Sequence, residues 1–157
     1  MLSPALVEEA ETLFEIESEA FPADEAADLD GIRFRIQNAN EYFLLYKLEG
    51  QLVGYVNGTL CLESEVTHES MSEHKEEGKT LILHSVTIAN SFRRKGHGRT
   101  MLRKYIEEMK RRMYVTKILL LAKKHLCPFY ESCGFTTLRI SPVEHGKESW
   151  YELAMDM

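Results

Sequence analysis

The segment LILHSVTIANSFRRKGHGRTML, Leu81 to Leu102, changes character in its middle, and few folds accommodate that change. Its first third is apolar and β-branched, as a buried strand requires. Arg93-Arg94-Lys95-Gly96-His97-Gly98 then sets three cations and two glycines in six positions. Beyond it, Met101, Leu102, Tyr105, Ile106, Met109 and Met113 recur at helical spacing and predict the core-facing stripe of a helix over about His97 to Met113. A strand feeds a helix through a short basic glycine turn. A helix start carries N–H groups without internal partners and partial positive charge, so this turn expects an anion.

The flanking chain supplies a sheet for that strand. Tyr42–Leu48 and Gln51–Cys61, separated by Glu49-Gly50, read as a β-hairpin. Lys79–Ile88 is the third strand, Lys117–Ala122 a fourth, and Phe135–Ile140 with Glu148–Met155 an antiparallel pair closed by the loop 141–147. Ser3 and Pro4 read as the cap and first position of a helix carried to about Glu19 by Leu6, Leu13, Phe14 and Ile16, and broken by Phe21-Pro22-Ala23. A second helix is predicted over about Asp24 to Ala39, and a short one over Leu126–Cys133, stopped by Gly134. Residues 63–78 are polar and read as a loop with a helical turn. The order α-α-β-β-β-α-β-α-β-β predicts an α/β fold with a mixed, mostly antiparallel sheet flanked by helices, in one domain over residues 1–157.

Composition narrows the function. Twenty-five acidic residues against nineteen basic give a net charge of −6, which argues against nucleic-acid binding. The charge is uneven: acids crowd residues 8–30 and 63–77, bases 93–112, so ligands of opposite sign are expected at different places. Cys61, Cys127 and Cys133 form no C-x-x-C pair, and the six histidines lack ligand spacing, so free thiols and no metal are expected. With no membrane-length apolar run and no basic, apolar leader, a cytoplasmic protein without membrane contact is expected.

The spacing of the glycine turn excludes two common phosphate motifs. G-x-x-x-x-G-K-[ST] is absent, and Gly96-x-Gly98 is followed by Met101 where a dinucleotide fingerprint needs glycine. Arg93 to Gly98 matches [Q/R]-x-x-G-x-[G/A] instead. Together with the later Pro128-Phe129-Tyr130-Glu131-Ser132-Cys133-Gly134-Phe135, this resembles the GNAT superfamily of N-acetyltransferases, whose corresponding loop cradles the pyrophosphate of acetyl-CoA. A narrower resemblance, to arylalkylamine N-acetyltransferases, is carried by Phe14-Glu15-Ile16-Glu17-Ser18-Glu19-Ala20-Phe21, Thr67-His68-Glu69-Ser70-Met71, Leu83-His84-Ser85-Val86-Thr87 and Pro128-Phe129-Tyr130. Met71-Ser72-Glu73-His74 is most similar to the fungal branch, which includes polyamine acetyltransferases.

The resemblance implies the GNAT fold, acetyl-CoA as co-substrate, and a set of roles. Val86, Thr87 and Ile88, with Arg93, Arg94, Lys95, Gly96, His97, Gly98, Arg99 and Thr100, would hold the coenzyme. Phe21 would pack on the acceptor as the family's aromatic does. Read from the residues themselves, Trp150 with Tyr151 would close the opposite side and Glu17, Glu19 and Asp24 would attract its cation, while core packing and solvated helix-face charge are the competing readings. The family carries an H-x-H pair on the third strand; His84 matches its second member and Ile82 replaces the first. An amine must lose a proton before it attacks, and His84, on a strand face with Ile82, Val86 and Ile88, is expected to be buried and neutral enough to accept it. Tyr130 matches the tyrosine that protonates the departing thiolate.

The reading is acetyl-CoA-dependent transfer of an acetyl group to a small arylalkylamine or polyamine in a ternary complex, by a monomer or weak homodimer. Acetylation of a protein or peptide amine, and a non-catalytic CoA-binding module, remain open at the level of sequence.

Overall fold

A computed structural model describes residues 1–157. Seven strands form a sheet of order β1-β2-β3-β4-β5-β7-β6, in which β1 is Leu2–Pro4, β2 Leu44–Leu48, β3 Gln51–Cys61, β4 Thr80–Ile88, β5 Lys117–Ala122, β6 Thr136–Ile140 and β7 Tyr151–Asp156. Four α-helices accompany it: α1 Ala10–Ala20, α2 Leu29–Asn38, α3 His97–Arg112 and α4 Cys127–Ser132. None is long and apolar enough to cross a membrane. The β1–β2, β2–β3, β5–β7 and β6–β7 ladders are antiparallel, and β4–β5 is parallel. This is the mixed, mostly antiparallel α/β sheet that the sequence pattern predicts.

The chain divides into two compact units, Met1–Gly58 with Ser85–Tyr105 and Thr59–His84 with Ile106–Met157. In the first, Leu13, Ile32, Ile36, Phe43, Leu45 and Tyr55 form a buried cluster, with the Phe43 and Tyr55 rings 5.6 Å apart. The β2–β3 hairpin closes on Glu49 and Gly50, whose φ angles of 52° and 79° are those of a two-residue type I′ turn. Gly54 of β3 allows a close approach: a Cβ there would lie 2.3 Å from the Thr87 carbonyl oxygen and 2.7 Å from Ile88 Cδ1. In the second unit, Cys61, Val66, Ile82, Leu119, Val143 and Ala154 make the core. The β4–β5 ladder runs from Thr80↔Lys117 to Leu83↔Leu120, whereas β4 itself continues to Ile88.

Three sequence expectations are corrected. Leu2–Pro4 is not a helix start but an edge strand, registered Leu2↔Tyr46 to Pro4↔Leu44, where a proline without N–H is tolerated. Helix α1 follows a 3-10 turn over Val7–Glu9. The second helix begins at Leu29 rather than near Asp24, because the Asp28 carboxylate accepts from Gly31 N–H at 2.7 Å and caps it there. Met113 does not join the apolar stripe of α3: it has φ 57°, lies one residue past the helix end and is 88% exposed. Met101, Leu102, Tyr105, Ile106 and Met109 are buried as predicted.

Gly54→Ala should destabilise the fold by about 2 kcal/mol or more through overpacking against main chain that cannot move aside. A urea midpoint equal to that of wild type would show that β4 gives way at no cost.

Candidate active site

The basic turn is built by three local decisions. After β4, residues Asn90–Phe92 make a 3-10 turn, and the Arg93 Nε donates to the Ile88 carbonyl at 3.0 Å, folding that side chain back on the strand end. Arg94 and Gly96 both take left-handed backbone, φ 64° and 80°, a conformation that glycine adopts freely and arginine does not. The first hydrogen bond of α3 then runs from Thr100 N–H to the Gly96 carbonyl at 3.4 Å. The amides of His97, Gly98 and Arg99 therefore lie ahead of the helical ladder, as at any helix start.

Arg94, Lys95 and Arg99 are exposed around those amides, and a Cβ at Gly96 would meet nothing within 4 Å. Space, amide donors and cations coincide at the turn, which fits a diphosphate. His97 is half-buried between the Tyr46 and Phe92 rings, 6.5 and 6.2 Å away between centroids, so it packs the helix start. Along β4 the burial alternates: Ser85 and Thr87 are buried, and Val86 and Ile88 half-buried.

In the same unit Phe21 ends α1 half-buried, its N–H donating to the Glu17 carbonyl at 3.1 Å. The Glu19 carboxylate accepts from Asn90 Nδ2 at 2.8 Å, which ties it to the turn just before the basic segment. Glu17, one of the acids that composition groups with the solvated helix face, is instead 3% exposed, and its carboxylate accepts from the Tyr55 and Ser85 hydroxyls.

The second unit holds His84, Tyr130 and Trp150. His84 is half-buried rather than enclosed among apolar neighbours, because Val86 and Ile88 beyond it are themselves half-open. Its Nε2 lies 2.7 Å from the Thr59 hydroxyl, with donor and acceptor set by the tautomer. Ile82, at the position of the family's first histidine, is fully buried in the core. Thr59 is the polar neighbour that sequence reading misses; its place on β3 gives no chemical signal until the strands are aligned.

Tyr130 lies in α4, 9% exposed, its ring edge-on to Phe129 and Phe135 at 5.1 and 5.9 Å. Burial pushes its phenol well above the ordinary tyrosine range, and the neighbouring Cys133 and Cys127 push the same way. The hydroxyl therefore holds its proton at neutral pH and can act as an acid. Trp150 is engaged by its own loop: its Nε1 donates to the His145 carbonyl, and Lys123 Nζ stands 5.8 Å over its ring while pairing with Glu148 at 2.7 Å. His74 accepts the Leu60 N–H at Nδ1, 3.0 Å, and so clips the 63–79 segment to β3. No three His, Cys, Asp or Glu side chains gather in a way that could hold a metal ion.

Comparison with known proteins adds kinship to this geometry. The acetyltransferase (GNAT) family model matches residues 10–135. Serotonin N-acetyltransferase of Mesocricetus auratus is 32% identical over 149 residues, 93% of this chain and 72% of that protein. The human serotonin N-acetyltransferase is 30% identical over the same shares. Among solved structures, the loading GNATL domain of CurA from Lyngbya majuscula superposes with a TM-score of 0.87 at 16% identity, covering 99% of this chain and 96% of that one. The yncA acetyltransferase from Salmonella typhimurium, solved with acetyl-CoA, gives 0.70 at 18% identity over 99% and 92%.

Because the folded phenol at 130 resists ionisation, the unfolded chain releases that proton first, near pH 10, and stability falls as pH rises beyond it, by about 1.4 kcal/mol per pH unit for one group at most. Urea midpoints at about pH 9 and 11 should therefore drop less in Tyr130→Phe than in wild type. Equal drops would mean that the phenol ionises in the fold.

Proposed function

The chain belongs to the acetyltransferase (GNAT) family, and from that premise we propose that it transfers the acetyl group of acetyl-CoA directly to the primary amine of a small arylalkylamine or short polyamine, its 157 residues working as one catalytic domain. Acetyl-CoA supplies the activated acetyl thioester. The observation that carries the reading is the start of α3, where uncommitted amides, a left-handed Gly96 with open space above it and exposed cations coincide.

The residues that hold the coenzyme are Arg94, Lys95, Gly96, His97, Gly98, Arg99 and Thr100 at the turn, with the main chain of Val86, Thr87 and Ile88 along β4. Arg93 shapes the turn through Ile88, as its hydrogen bond indicates. His84 takes the proton from the attacking ammonium. With Ile82 buried in the core, a polar neighbour of His84 is the buried Thr59 hydroxyl, 2.7 Å from Nε2; it orients the imidazole. Tyr130, kept protonated by burial, delivers a proton to the leaving sulfur.

Support for an arylalkylamine comes from the serotonin N-acetyltransferases at about 30% identity over most of the chain. Support for a polyamine comes from the fungal-type stretch at 71–74 and from the acids near Phe21, including Glu19. Phe21 is the acceptor-side aromatic of this reading, and Trp150 covers the acceptor only if its loop releases Lys123. The same reading, carried over from charge and hydropathy, makes it a cytoplasmic monomer or weak homodimer acting without nucleic-acid or membrane partners.

Thiol release with tryptamine, serotonin, putrescine and spermidine tests the acceptor. Turnover of at least one amine is expected, and Tyr130→Phe should lower kcat on the order of a hundredfold with little change in acetyl-CoA binding. Coenzyme binding without turnover of any amine would favour a non-catalytic module, turnover of peptide amines alone would move the acceptor to proteins, and an unchanged kcat would remove Tyr130 from the reaction.

A further inference from the structure

The strongest feature outside the roles assigned above is a buried carboxylate. Glu17 is only 3% exposed, and it is connected on every side. Its Oε1 accepts the Tyr55 hydroxyl at 2.6 Å and the Ser85 hydroxyl at 2.9 Å, and its Oε2 accepts the Ala27 N–H at 3.0 Å. Arg35, whose Nη1 donates to Asn57 Oδ1 at 3.2 Å, is the cation that the nearby Glu17 charge favours, against its own burial. One side chain thus joins α1, the connection from α1 to α2, β3 and β4. A polar group taken out of water is tolerated only when it is hydrogen-bonded, and these three donors engage both carboxylate oxygens.

What that hub touches is suggestive. Ser85 is the residue after His84, and successive side chains of a strand point to opposite faces. Holding Ser85 on the buried face fixes how β4 presents the next residue back on the other. Ala27 lies in the connection that begins with Phe21, and the backbone carbonyl of Glu17 also receives the Phe21 N–H. We infer that Glu17 is a positioning residue for acetyl transfer, its carboxylate tying the acceptor-side connection, through Ala27, to β4 at the residue beside His84, through Ser85. The inference rests on the acetyl-transfer reading and deepens it: Glu17 acts by geometry and takes no proton from the amine.

Geometry and charge are separable here by substitution. Glu17→Gln keeps the shape: its amide oxygen can accept the Ala27 N–H while its NH2 faces the Tyr55 and Ser85 hydroxyls, which rotate to accept. Glu17→Ala removes all the links, and Ser85→Ala removes only the one to β4. Steady-state kinetics with tryptamine and spermidine as probe amines, alongside thermal midpoints, distinguish the roles. Glu17→Gln is expected to melt lower, since Arg35 loses its counter-charge, yet to keep kcat within about threefold of wild type, whereas Glu17→Ala and Ser85→Ala lose about ten- to a hundredfold in kcat with the KM for acetyl-CoA unchanged. If Glu17→Ala does not fold, Ser85→Ala carries the test alone. Glu17→Gln as damaging to kcat as Glu17→Ala, or Ser85→Ala with wild-type kcat, would overturn the positioning role. A wild type that binds acetyl-CoA yet turns over none of tryptamine, serotonin, putrescine and spermidine would sink the small-amine acetyl-transfer reading and this role with it, whereas an active wild type with unaffected variants sinks this role alone.

Discussion

The proposed coenzyme site depends on a helix whose first amide protons lie ahead of its own ladder: the α3 ladder opens at Thr100 N–H to Gly96 carbonyl, and three amides precede it. That arrangement needs the chain to leave β4 at Ile88, turn through Asn90–Phe92, and reverse through left-handed backbone at Arg94 and Gly96 before any helical bond forms. Helix α3 is long and buries Met101, Leu102, Tyr105 and Met109, so its packing fixes where those amides point. An arginine in left-handed backbone is unfavourable by roughly 1 kcal/mol, and the packing of β4 and α3 on either side holds it. Strain of this kind sits where a ligand repays it.

Packing also decides what each polar residue is for. His84 has a hydroxyl neighbour at Thr59, while Ile82, two residues back on the strand, is given over to the core. Burial keeps the Tyr130 proton in place, and the buried Glu17 carboxylate is met by the Tyr55 and Ser85 hydroxyls and the Ala27 amide. Each is an answer to burial: the phenol retains its proton, and the carboxylate joins separate segments of the chain to α1.

Periodicity and turn chemistry were enough to read β2 to β5, the Glu49-Gly50 hairpin, α3 and the β6–β7 pairing, because each is specified by residues near one another in the chain. The signal failed where a distant neighbour decides. Pro4 reads as a helix start until β2 supplies an edge for it, and the helix read from about Asp24 begins at Leu29 because Asp28 caps it through Gly31 N–H. Glu17 looks like one more solvated acid in an acidic stretch; only the hydroxyls of Tyr55 and Ser85, 38 and 68 residues away, reveal that it is buried. The Trp150 ring lies under the Lys123 ammonium and beside His145, neighbours that periodicity does not pair with it.

Binding of the coenzyme's diphosphate at the start of α3 is measurable by titrating acetyl-CoA into 15N-labelled protein. The amide resonances of His97, Gly98 and Arg99 should move saturably, in step with binding, and further than those of the exposed β2–β3 turn at Glu49 and Gly50. Coenzyme binding that leaves the three amides unmoved would contradict it.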